Sequence, residues 1–236
     1  MSIQHEIEQQ LESLNKQQQC RFAWQCGLRA LPFLSKIKNF AYWQDDSKAV
    51  YMESIFSSLI ITAQAAFLNE FTDDKYDCPF TTLAYEAAQA ADYNSADFAA
   101  HAVESVVCGS LAAGSKVSAA PYGSEVITLV AQAAEHTNAA AEQAGNNVIK
   151  NILFDDIQNL KYNEISVMNN RRNDVYGDLF WNFQTSLGSI ECSHLSRFFD
   201  KQFDDHFDIV ERAWLAYRCN RLYMQKQEWF RSLRGY

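Results

Sequence analysis

The sequence predicts an all-α protein, a multi-helix bundle of about eight to ten helices. Only 3 prolines and 8 glycines occur among the 236 residues, so few positions interrupt a helix. Apolar residues recur three or four positions apart in nearly every segment, which is the spacing of one helix face. Hydrophobic residues make up 48% of the chain, enough for a sizeable core, and we expect a single domain over residues 1–236.

The first part of the chain predicts three helices. The first has an apolar face formed by Ile3, Ile7, Leu11 and Leu14. The second runs from Cys20 to Pro32, where the missing N–H of proline ends or kinks it. The segment "QDDS" supplies capping groups for the third. The apolar stripe of that helix comprises Met52, Ile55, Phe56, Leu59, Ile60, Ala63 and Phe67.

The middle block, Ala84 to Ala144, is about one third alanine, well above ordinary usage. It predicts three helices: one from about Pro79 to Tyr93, one capped by Ser95, and one beginning near "PYGSE". Small side chains let helix axes approach closely. We therefore expect tight packing of the Ser95 helix at Ala102, Gly109, Ala113 and Gly114.

The remainder of the chain predicts one amphipathic helix and then a change of character. The inner face of that helix comprises Val148, Ile149, Ile152, Leu153, Ile157 and Leu160. The polar segment "MNNRRNDVYGD" reads as a connector, with a subdomain boundary near 166–178. The aromatic-rich sequence that follows predicts two or three more helices.

Charge and cysteine usage indicate where the protein works. The net charge of −9 disfavours binding to phosphate backbones. Six cysteines without a CxxC pair predict free thiols in a reducing cytoplasm. The polar N-terminus has no signal-peptide core. The longest charge-free run, Ser54 to Asn69, is shorter than the roughly 18 apolar residues of a membrane span. We expect a cytoplasmic protein without a membrane span.

Two spacings resemble metal-ligand patterns. His101, Glu104 and Cys108 share one helix face, but one helix rarely supplies three tetrahedral ligands and no second Cys/His cluster offers the remainder. Glu191 and His194 have the Glu-x-x-His spacing of di-iron bundles, which need two copies. We interpret His101, Glu104 and Cys108 as polar residues at the edge of a contact between helices. We interpret Glu191 and His194 as part of a solvent-exposed helix N-terminus. The sequence therefore predicts no metal and no cofactor.

Catalytic motifs are absent from the sequence. It contains no GxSxG, Walker loop, HExxH or paired CxxC. This favours a protein that is not an enzyme. The alternative is a metal-dependent or Cys–His hydrolase built in the helical bundle, because six cysteines and five histidines leave room for a pair distant in sequence.

Two charged features near the C-terminus are candidate binding surfaces. The first is an acidic helix face, opposite the face on which Phe199, Phe203 and Phe207 anchor the helix to the core. Such a face is either a solvated surface or a docking site for a basic protein partner, and we predict docking. Its carboxylates are Asp200, Asp204, Asp205 and Asp208. The second is a stretch of interleaved basic and aromatic residues, which suits a C-terminal core helix better than a nucleic-acid site. Its cations are Arg212, Arg218, Arg221, Lys226, Arg231 and Arg234.

The segments "CRFAWQCGLRALPFL" and "AAHAVES", followed by the aromatic segment "LFWNFQTSL…SRFFDKQFDDHFD", resemble bacterial all-α immunity proteins and related defence-associated helical proteins. The resemblance covers most of the chain. It implies a non-enzymatic protein-binding role, either neutralising a toxin or serving as one component of a defence system. We take that role as the leading prediction, ahead of the hydrolase and of a nucleic-acid-binding module; a homo-oligomer is compatible with it.

Overall fold

The computed structural model describes residues 2–63, 65–66, 85–89, 97–114 and 123–162, together with residues 176, 178, 179, 182, 183 and 186. Within these residues the chain is mostly helical and contains no β-strand, which confirms the all-α prediction. Six helices and a helical stretch at 85–89 make seven. The total of eight to ten for the whole chain stays a prediction. The helices are α1 (Ile3–Leu11), α2 (Lys16–Ala30), α3 (Lys48–Ala63), α4 (Asp97–Gly114), α5 (Gly123–Gln143) and α6 (Ile149–Lys161).

A reciprocal cap starts α2 earlier than the sequence predicted. The Asn15 side chain accepts a hydrogen bond from the Gln18 backbone N–H at 2.9 Å, and the Gln18 side chain accepts one from the Asn15 N–H at 2.9 Å. These two bonds satisfy backbone N–H groups that have no hydrogen-bond partner at the start of an uncapped helix. The helix therefore begins at Lys16, before the expected Cys20. It ends at Ala30, and Pro32 lies in the 3₁₀ turn that follows, as its missing N–H predicts.

The core forms around α2, which is buried along most of its length. It contacts α3, α4, α5 and α6, and the most extensive helix pair is α4 with α5. The predicted apolar stripe of α3 is confirmed where its side chains are described: Met52, Ile55, Phe56, Leu59 and Ala63 are buried.

Close packing at small residues is also confirmed. A Cβ atom added to Gly109 in α4 would lie 3.5 Å from the carbonyl oxygen of Ala23 in α2, an ordinary van der Waals contact, so there is little more than the space of a methyl group between the two backbones. A Cβ on Gly27 would come within 2.7 Å of the Leu59 Cδ2 atom. Ala102 and Ala113 are buried as expected. The helix α4, Asp97–Gly114, is thus one that neighbouring helices approach closely.

In α6, the last long helix in the described part of the chain, five of six predicted inner positions are confirmed and the sixth is corrected. The buried positions are Ile149, Ile152, Leu153, Ile157 and Leu160. Val148 is 46% exposed, because it is the N-cap residue and lies outside the helix whose inner face packs on the core. The sequence pattern also missed Asp156, a carboxylate buried on this inner face.

Several predictions concern residues that the structure does not describe. They include the acidic face from Asp200 to Asp208, the Glu191 and His194 pair, and the basic C-terminal stretch. Most of the 166–178 boundary also falls outside the described ranges. No helix in the described part of the chain is both long enough and apolar enough to cross a membrane.

Candidate metal centre

Three potential metal ligands converge where α4 packs against α5. Glu104 and Cys108 project from α4, and His136 projects from α5. One ligand atom from each residue lies within 4.8 Å of the other two. The sequence analysis placed Glu104 and Cys108 on one helix face and found no partner for them. Folding supplies His136 from the next helix.

Local geometry explains why these side chains meet. Glu104 and Cys108 are one turn apart, so both point from the same face of α4. His136 belongs to "EHTN", Glu135 to Asn138, a polar interruption in an alanine-rich helix. The alanines around it are buried without bulk, so α5 can approach α4 closely enough for the polar groups to touch.

A buried hydroxyl network fixes the rotation of α5 beside the cluster. The Ser105 Oγ atom lies 2.7 Å from the Thr137 Oγ1 atom. The Thr137 hydroxyl also lies 2.8 Å from the carbonyl oxygen of Ala133 and 3.1 Å from that of Cys26 in α2. Thr137 has a single proton, so it donates to one of its neighbours at a time, and either hydroxyl can be the donor between Ser105 and Thr137. These bonds tie three helices together one residue away from His136.

His101 completes the polar surface between α4 and α5. Its Nδ1 atom lies 2.9 Å from the Nδ1 atom of His136, and the ring centroids are 5.2 Å apart. A neutral imidazole has one protonated and one unprotonated nitrogen. One of the two Nδ1 atoms therefore donates to the other. His101 itself is not among the three converging ligands.

Burial shifts the pKa values of the cluster toward the uncharged forms. It raises the pKa of Cys108 to about 12, with a further contribution from Glu104, and it raises the pKa of Glu104 itself. Burial, together with the neighbouring His101, lowers the pKa of His136 to about 4. Burial also lowers the pKa of His101, although Asp97 and Glu135 act in the opposite direction. At neutral pH both imidazoles are therefore uncharged.

The cluster is only partly closed to solvent. Cys108 is buried, whereas Glu104 and His136 are half-buried. Tyr85, in the helical stretch 85–89, lies close to Glu104. Burial raises the pKa of Tyr85, and the negative charge of Glu104 raises it further. Solvent and small ions can therefore reach the carboxylate and imidazole side of the cluster.

Comparison with known proteins gives no relative from which a role for these residues could be inferred. No protein family, curated protein or solved structure matches the chain.

The other predicted sites divide between those the structure describes and those it does not. Cys20, Cys26 and Cys108 are free and buried, as expected from the cysteine spacing. The docking carboxylates Asp200, Asp204, Asp205 and Asp208 lie outside the described residues and stay a prediction. His136 is the functional candidate that the sequence analysis missed. Its one available signal was the polar "EHTN" step inside an alanine-rich helix.

Proposed function

We propose that this protein binds one transition-metal ion, with zinc the best match, through Glu104, Cys108 and His136. The observation that supports the proposal is the convergence of three chemically different ligand atoms from two helices within 4.8 Å. Free thiols in cores ordinarily contact apolar side chains. Here the thiol belongs to the hydrophobic core and also lies beside a carboxylate and an imidazole.

The separations are close to those of a formed site. Zinc binds sulfur at about 2.3 Å and nitrogen or oxygen at about 2.0–2.2 Å, which places tetrahedral ligand atoms roughly 3.3–3.8 Å apart. Because no two of these ligand atoms are more than 4.8 Å apart, the cluster needs to contract by at most about 1–1.5 Å. Rotation of the long, half-buried Glu104 side chain can bring its carboxylate closer to the other two ligand atoms.

The donor set favours zinc over harder cations. Magnesium and calcium take oxygen ligands, whereas thiolate and imidazole suit zinc and neighbouring first-row metals. The thiolate of Cys108 and the carboxylate of Glu104 together balance the two positive charges of the ion. A neutral His136 then completes the protein ligands without adding charge.

Three protein ligands favour a site with an exchangeable position. Structural zinc sites use four protein ligands, whereas catalytic sites use three and keep one position for water or substrate. The partial exposure of Glu104 and His136 gives water access to that position. A bound water would have its pKa lowered to about 7 and could act as a nucleophile. This observation favours the metal-dependent hydrolase as a second candidate function.

Zinc binding to purified protein tests the proposal. We expect one zinc per chain by elemental analysis after dialysis, and a loss of at least about tenfold in affinity for Cys108→Ala and for His136→Ala. Cys20→Ala, at another buried thiol, and His5→Ala, at an exposed histidine, are the matched controls and should retain the parent affinity. Absence of zinc in the parent, or an unchanged affinity in the Cys108→Ala/His136→Ala double variant with native circular dichroism, would overturn the proposal.

A further inference from the structure

We infer that His101 is a positioning residue that holds His136 with its proton on Nδ1, so that Nε2 of His136 faces the metal. This inference rests on the proposed metal site and names a residue that acts through one of its ligands. The two imidazoles come from different helices, His101 from α4 and His136 from α5.

The Nδ1 atoms of His101 and His136 are 2.9 Å apart. A hydrogen bond at this distance needs one protonated and one unprotonated nitrogen. If the His136 Nδ1–H donates to His101, the Nε2 atom of His136 has a free lone pair. If His136 accepts instead, its Nε2 atom has the proton and the ring has no lone pair for a metal. Only the first arrangement is compatible with ligation by a neutral His136.

His101 itself is placed to orient and not to ligate. It is absent from the group of ligand atoms that lie within 4.8 Å of one another. Its ring is tilted by 30° against the His136 ring, with centroids 5.2 Å apart, so the two rings lie side by side. Rotation of the His136 ring away from this arrangement would lose the hydrogen bond. His101 therefore selects both the tautomer and the orientation of the ligand.

Other metal centres show what such a partner contributes. The non-ligating N–H of a metal-bound histidine usually donates to an acceptor, and loss of that acceptor typically costs 10–100-fold in metal affinity. In the inferred arrangement that acceptor is the Nδ1 atom of His101, which lies 2.9 Å from the Nδ1 atom of His136. We expect an effect in that range when the acceptor is removed.

Two substitutions separate positioning from simple space filling. His101→Leu removes the acceptor, and we expect zinc affinity to fall about 10–100-fold. His101→Asn places an Oδ1 atom where Nδ1 was, so it should restore most of the affinity by accepting the same bond. In ¹⁵N-labelled parent protein loaded with zinc, the ring nitrogens of His136 should show a protonated Nδ1 and a zinc-bound Nε2.

The outcomes distinguish this inference from the proposed function. Parent-like zinc affinity in His101→Leu, equal weakness of His101→Leu and His101→Asn, or a zinc-bound Nδ1 of His136 overturns the positioning role alone. Failure of the parent protein to bind zinc overturns the proposed function and the positioning role with it. Circular dichroism of each variant establishes that it is folded before its affinity is compared.

Discussion

Arg29 in α2 and Asp156 in α6 form a buried, two-point ion pair. The Arg29 Nε atom donates to Oδ2 of Asp156 at 2.5 Å, and Nη2 donates to Oδ1 at 2.7 Å. The two side chains are 8% and 1% exposed. Burial alone would lower the pKa of Arg29, but the adjacent carboxylate outweighs it and raises the pKa, so the guanidinium stays charged. The pair joins the second helix of the chain to the last long helix described.

Breaking one side of this pair should destabilise the protein strongly. Asp156→Asn leaves a buried charge without its partner, and we expect the free energy of unfolding to fall by about 3–5 kcal/mol. Urea denaturation monitored by circular dichroism measures the change. Asp45→Asn is the matched control, because Asp45 pairs with Lys48 but is 97% exposed, and it should leave stability nearly unchanged. A loss for Asp156→Asn as small as that of the control would contradict this account.

The close contact at Gly27 predicts sensitivity to a single methyl group. In Gly27→Ala the new Cβ atom would meet Leu59 Cδ2 at 2.7 Å and Val106 Cγ2 at 3.3 Å, and overpacking should lower the free energy of unfolding by about 1–2 kcal/mol. In Gly109→Ala the nearest atom lies at 3.5 Å, an ordinary contact, so the helical preference for alanine should leave stability equal or up to about 1 kcal/mol higher. Thermal unfolding of both variants checks the difference, and the opposite order would show that the predicted packing at Gly27 is wrong.

Buried thiols predict a loss of stability at alkaline pH. Burial raises the pKa of Cys20 from 9.0 to about 11. Below pH 9 the thiol is protonated in both states, whereas above it the unfolded chain loses the proton first. This thiol should therefore lower the free energy of unfolding by about 1.4 kcal/mol per pH unit as the pH rises from its pKa in the unfolded chain to its pKa in the folded protein. Denaturation curves measured from pH 8 to pH 11 give the free energy of unfolding at each pH. This free energy should fall less steeply with pH for Cys20→Ala than for the parent, and an identical pH dependence would exclude the linkage.

Metal binding predicts a concentration-dependent stabilisation. An ion that joins α4 to α5 in the folded state, and does not bind the unfolded chain, adds about 2.7 kcal/mol when free zinc is 100 times the dissociation constant. Calorimetry should show a higher unfolding temperature with zinc, reversed by a chelator. His136→Ala, which lacks the α5 ligand and should bind zinc at least about tenfold more weakly, should gain no more than about 1.4 kcal/mol at the same zinc concentration. An equal shift in that variant would assign the stabilisation to a different site.

The sequence was informative for most positions that a single helix face decides, although the pattern of α6 failed at the exposed Val148 and the buried Asp156. Helical spacing predicted the buried residues of α3 and α6, and small residues predicted the contact between Gly109 and Ala23. The α2 boundary was less accurate, because a capping pair rather than apolar spacing decides where that helix begins.

Contacts between distant helices were not predictable in the same way. Spacing placed Glu104 and Cys108 on one face, but nothing local to α4 indicated that His136 would lie opposite. Arg29 and Asp156 are likewise separated by 127 residues. Their burial depends on how α6 packs on α2, and a polar residue in an amphipathic pattern ordinarily predicts exposure. Both the candidate site and the buried ion pair are consequences of tertiary packing.

X-ray absorption at the zinc edge of the loaded protein tests the metal centre most directly. The proposed ligands predict one sulfur at about 2.3 Å and nitrogen or oxygen atoms at about 2.0–2.2 Å. In Cys108→Ser the sulfur signal should disappear, whereas in Cys20→Ala it should remain. A zinc ion coordinated only by nitrogen and oxygen in the parent, or one that keeps its sulfur in Cys108→Ser, would contradict a centre formed by Glu104, Cys108 and His136.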